Sequence, residues 1–131
     1  MILCIAPLGI KRGYELNFPK ELVAASATPI ILAILQGGDS YGYAIMRKVR
    51  EISGDKISWT EGMLYPVLHR LESSNLIQAY WSTSENGRRR KYYKITQNGV
   101  KELSILKSQW TIIQQALFKL EEEHAREGQH V

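Results

Sequence analysis

The chain has 131 residues, room for one compact domain and a short appendage but not for two full enzyme domains. With 44% hydrophobic and 23% charged residues, it has the composition of a folded globular protein, which excludes wholesale disorder. The net charge is only +4, yet five cations (Arg88, Arg89, Arg90, Lys91 and Lys94) fall within seven residues, so the rest of the chain carries −1. A single cysteine, Cys4, rules out an internal disulfide and a paired-cysteine zinc motif, and suits a reducing cytoplasm. The longest strictly apolar run, Ile30 to Leu35, is far shorter than the roughly 20 residues needed to span a bilayer. Neither membrane nor cofactor is therefore expected as a partner.

The first ten residues are apolar but lack a basic region before them and a small-residue cleavage site after them. Residues 1–17 are read as a loosely attached extension. A helix is predicted from Pro19 to Gln36, stopped by Gly37 and Gly38. Pro29 makes it either one kinked helix or two pieces, with Thr28 capping the second. Its apolar residues, Leu22 to Ala25, Ala27 and Ile30 to Leu35, point in nearly all directions, so it needs cover on every side.

Asp39 or Ser40 can cap a second helix carrying Tyr41, Ile45, Val49 and Ile52 on one face and ended by Gly54. Thr60 caps a third, with Trp59 and Leu64 spaced as a hydrophobic staple. Along this third helix Met63, Leu64, Val67, Leu68 and Leu71 form the inner face, leaving Gly62, Tyr65, Pro66, His69 and Ser73 outside. Pro66 costs a helical hydrogen bond where core packing does not require it, so either the helix is distorted or that face has a task.

Ile77, Ala79 and Trp81 then alternate with polar neighbours as in a half-buried strand, and Asn86-Gly87 signals a hairpin returning through Arg88 to Ile95. Thr96 caps a last helix reaching about Arg126. On it Leu103, Leu106, Trp110, Ile113, Leu117 and Leu120 recur at spacings of 3 and 4, a coiled-coil seam. Such a helix extends roughly 40 Å, beyond the width of the preceding domain, and a second copy of the chain is the simplest cover for its far half.

Three helices followed by a basic hairpin make a winged helix-turn-helix plan, mainly α with a small β wing. Residues 18–95 form the domain and 96–131 a dimerisation helix and tail. In this plan the third helix enters the major groove of double-stranded DNA while the hairpin cations meet phosphates. Candidate contacts are Thr60, Gly62, Tyr65, Pro66 and His69 on the helix, and Arg88, Arg89, Arg90 and Lys91 on the hairpin. The competing readings are a solvated, charged strand edge and a winged module that binds protein or RNA without a preferred palindrome.

The run from Glu61 to Glu72 followed by Asn75, Leu76 and Ile77 resembles the recognition-helix signature of PadR-type transcriptional regulators. Gly87 to Thr96 with Gly99 is similar to that family's wing, and Tyr41, Gly42, Tyr43 and Ile45 to its second helix. The resemblance covers about residues 20–123. It implies a homodimeric repressor with a small-molecule input, in which the last helix packs on the partner, including its first helix. It also implies DNA-binding roles for Tyr65, Arg89, Arg90 and Lys91, and a place for Trp110 in a pocket.

Trp110 most simply packs in the seam. Two such rings facing across a two-fold axis would alternatively hold a flat aromatic effector. His69, His124 and His130 lie on different elements or in the tail, and no nucleophile with a base and an orienting acid can be assembled by spacing, so an enzyme is not expected. His124 with Glu121 and Glu123 reads as a solvated acidic helix end rather than a metal site.

Overall fold

A computed structural model describes residues 17–129. Nearly all of the expected extension, Cys4 included, lies outside them. Four helices and a three-stranded sheet follow in the order α1 (Lys20–Gln36), β1 (Ser40–Tyr41), α2 (Gly42–Ile52), α3 (Glu61–Ser73), β2 (Ile77–Thr83), β3 (Arg89–Ile95) and α4 (Gln97–Gln129).

Of the two arrangements open for α1, the chain takes the continuous helix, with Pro29 inside it. The amide lost at Pro29 would have bonded the carbonyl of Ala25, an exposed residue that water can serve instead. The Pro19 carbonyl accepts from Leu22 and Val23, both at 3.0 Å, replacing a side-chain cap.

The expected cap of α2 at Asp39 or Ser40 is not formed. Ser40 and Tyr41 instead pair with β3 as the short strand β1, opposite Tyr93 and Tyr92, and α2 starts directly from it without a side-chain cap. A strand's hydrogen bonds hold this segment where a cap would otherwise fix the helix entry. Ile45 and Val49 are buried as expected, but Ile52 is exposed because the helix ends there and Gly54, at φ 63°, turns the chain away.

The α3 helix continues through Pro66 as a single element. The Thr60 hydroxyl accepts from the Met63 amide at 3.2 Å, and Asn75, in the left-handed region at φ 63°, closes the other end. Leu64, Val67, Leu68 and Leu71 face the core, joined by Ile31, Leu32 and Leu35 of α1, Ile45, Ile77, Tyr93 and Leu103.

The sheet order is β1-β3-β2, all antiparallel. Between Thr83 and Arg89 the Gly87 amide bonds back to Ser84 and the Ser84 amide to the Arg88 carbonyl. Gly87 sits at φ 80°, the left-handed third residue of a three-residue hairpin loop. Trp81, expected on a half-buried face, is 57% exposed, because β2 runs past the core and only Ile77 and Ala79 reach it.

The Thr96 hydroxyl accepts from the Gly99 amide and donates to the Asn75 carbonyl, pinning the start of α4 to the end of α3. A side chain at Gly99 would collide with the Leu76 carbonyl, so the close approach of α4 to that turn needs glycine. Leu103 is buried and Leu106 half-buried against α1, whereas Ile113, Leu117 and Leu120 lie more than half exposed.

Candidate nucleic-acid interface

Local folding brings three segments to one cleft of about 740 Å³. Tyr65 and Glu61 project from α3 on one side, Trp81 and the cations Arg88 to Lys91 from the hairpin on the other, and Tyr41, Gly42 and Tyr43 close the base. The antiparallel register explains the hairpin's two faces. Trp81 and Thr83 lie opposite Lys91 and Arg89 on one side, while Tyr80 and Ser82 lie opposite Tyr92 and Arg90 on the other.

Tyr65 is 43% exposed, and its ring lies so close to Gly42 that any side chain there would overlap it. The glycine thus holds a seat for the phenol at the first residue of α2. Pro66 and His69 are exposed on the same face of α3 but do not line the cleft. Gly62 is exposed and a side chain there would find open room, so packing does not demand glycine. Thr60 is exposed, but its hydroxyl is engaged as the helix cap. On the hairpin Arg88, Arg89 and Lys91 are exposed and Arg90 is half-buried.

The cations find aromatic rings. Arg89 lies over Trp81 at 5.1 Å from the ring centroid, Arg90 over Tyr41 at 4.3 Å and Lys91 over Tyr93 at 5.8 Å. From α2, Arg47 lies over Tyr43 at 5.6 Å. The outer hairpin face is braced by tyrosines: Tyr92 stacks on Tyr80 and meets Tyr41 edge-on, and the Tyr80 hydroxyl donates to Asp39 at 2.6 Å. That bond to a carboxylate raises the Tyr80 phenol above its ordinary value of about 10. Tyr93 is raised too, first by burial and then by the nearby Tyr65 and Glu72.

Sequence reasoning missed Trp81, Arg47 and Glu61 as parts of this region. Trp81 was hidden by its in-phase alternation with Ile77 and Ala79. Spacing places Tyr41 on the second helix and resemblance adds Tyr43, but Tyr41 lies in β1, and that strand brings both to the wing. Among the described residues no histidine, cysteine or carboxylate cluster could hold a metal, and no helix is long and apolar enough to cross a membrane.

Three core helices, a cationic hairpin beside the exposed face of the third, and a long C-terminal helix define a winged helix-turn-helix protein of the DNA-binding kind. The sequence profile of the PadR-like family of transcriptional regulators matches residues 31–105. The chain belongs to that family, whose members are transcriptional regulators rather than enzymes.

A Lysinibacillus sphaericus protein is 31% identical over 97 residues, spanning 74% of this chain and 89% of the relative. Among solved structures, a transcriptional regulator from Clostridium thermocellum superposes with a TM-score of 0.69 at 31% identity, covering 76% of this chain and 97% of that one. A PadR-like transcriptional regulator from Bacillus cereus gives 0.69 at 28%, covering 77% and 96%. A PadR family regulator from Clostridium difficile gives 0.64 at 39%, covering 71% and 95%.

Proposed function

We propose that this DNA-binding regulator is a cytoplasmic, ligand-responsive repressor that grips a pseudo-palindromic operator as a homodimer. The observation that carries this reading is the cleft itself, where Tyr65 of α3 and the wing cations Arg88, Arg89 and Lys91 face one another across a space open to solvent. In it the α3 face formed by Thr60, Gly62, Tyr65, Pro66 and His69 enters the major groove, and the wing follows the flanking phosphates. Glu61, on the α3 side of the same cleft, is an acceptor suited to a base amine rather than to a phosphate.

Pairing is supported by apolar surface that one chain leaves uncovered. Ile113, Leu117 and Leu120 of α4 are 55%, 62% and 51% exposed, and Leu22 and Ala25 of α1 are exposed as well. Leu103, Leu106 and Trp110 continue that stripe inward, and a two-fold axis through it sets two α3 helices apart. Half-sites then lie about one helical turn, roughly 10 base pairs, or a multiple, apart. An aromatic effector between the paired Trp110 rings would act by changing that separation.

Titrating duplex affinity against salt tests the assignment. Arg89→Ala or Lys91→Ala should weaken binding to every sequence and reduce the salt slope by about 0.9 for each phosphate that is no longer neutralised. An unchanged slope removes the wing from the interface.

A further inference from the structure

Trp81 has no structural task that accounts for its position. It is 57% exposed, beyond the reach of the core, on a hairpin that is otherwise polar at its tip. Its ring carries the Arg89 guanidinium at 5.1 Å, and the next two wing residues repeat the arrangement, Arg90 on Tyr41 and Lys91 on Tyr93. Carboxylates play no part in holding these cations: among the described residues the one ion pair is Arg50 with Asp55, at the C-terminal end of α2. The distinction is chemical. A carboxylate orients a cation by neutralising it and then competes with the phosphate, whereas a ring face orients it and leaves its charge whole. An arginine held over a ring has already lost part of the side-chain freedom that binding would otherwise remove.

We propose that Trp81 is a positioning residue for duplex binding, a platform that holds the Arg89 guanidinium open to a DNA phosphate. The strand register makes the pairing specific. Trp81 lies directly opposite Lys91, and Arg89 is opposite Thr83, so Arg89 is Trp81's diagonal neighbour on the cleft face. The proposal rests on the wing's contact with DNA, and the experiment separates the two. Fluorescence anisotropy with a labelled random-sequence duplex is measured across a salt series for the parent, Trp81→Leu, Trp81→Tyr, Arg89→Ala and the Trp81→Leu/Arg89→Ala pair.

Trp81→Leu should weaken binding about two- to tenfold per wing, the cost of immobilising an arginine that has lost its platform, with the salt slope intact because Arg89 still reaches its phosphate. Trp81→Tyr should recover most of that affinity. In the Arg89→Ala background Trp81→Leu should add nothing, the non-additivity of residues acting as one. Full additivity of the two losses would overturn the platform role, as would unchanged affinity in Trp81→Leu or a slope that falls as far as in Arg89→Ala. An Arg89→Ala protein with parental affinity and slope would instead refute the wing's DNA contact itself.

Discussion

Gly42 shows how one missing side chain shapes the cleft. Its bare Cα leaves room for the Tyr65 ring against the first turn of α2, and the atoms a Cβ would meet all belong to that tyrosine. The contact is with the far end of a side chain that is 43% exposed overall and can swing away, so the fold can accommodate Gly42→Ala while the cleft cannot. We expect Gly42→Ala to melt within about 1 kcal/mol of the parent, helped by alanine's better helix propensity, yet to bind duplex DNA several-fold more weakly. Parallel thermal melts and anisotropy titrations check this, and parental DNA affinity would show that the seat of Tyr65 is immaterial.

Among the elements the wing divides along its length between core and surface. Its base belongs to the core through Ile77 and Tyr93, while its tip is solvated and cationic. Tyr93 is the hinge between these roles, buried on one side and carrying Lys91 over its ring. Burial favours the neutral phenol and raises its titration above the unfolded value of about 10. The stabilisation is therefore complete below pH 10 and is lost as pH rises through the higher folded value, because the unfolded chain releases the proton first. Chemical denaturation at pH 8 and pH 11 should show Tyr93→Phe losing less stability than the parent on going to the higher pH, with the two within about 1 kcal/mol at pH 8. Equal losses would mean that Tyr93 ionises as freely in the fold as outside it.

At the scale of the whole molecule, α4 has two halves in different surroundings. Its first turns are tied to the core by Thr96, Gly99 and Leu103, and its later turns present Ile113, Leu117 and Leu120 to solvent. Each such side chain is already about half covered by its own helix, so burying the rest is worth roughly 1 kcal/mol apiece, a gain that two copies would double. Leu106, half-buried where the two halves meet, is a sensitive place to test this. Leu106→Asp should convert a dimer to a monomer in sedimentation analysis and abolish tight operator binding in the same protein. A monomeric variant that still binds tightly would refute the paired assembly.

Much of this was legible in the residues because it depends on local periodicity. The inner face of α3, the Thr60 and Thr96 caps, the Gly54 stop and the Gly87 turn each follow from residue type and spacing within a short stretch, where backbone geometry decides which side chains share a face. What the spacing left open was settled by contacts between segments far apart in sequence. Pairing of Ser40 and Tyr41 with β3 replaced a helix cap, the end of the core short of Trp81 turned an expected inner residue into an exposed platform, and the meeting of Gly42 with Tyr65 built the cleft's base. Periodicity specifies direction but not distance, so only the packed chain determines which of the correctly oriented residues touch.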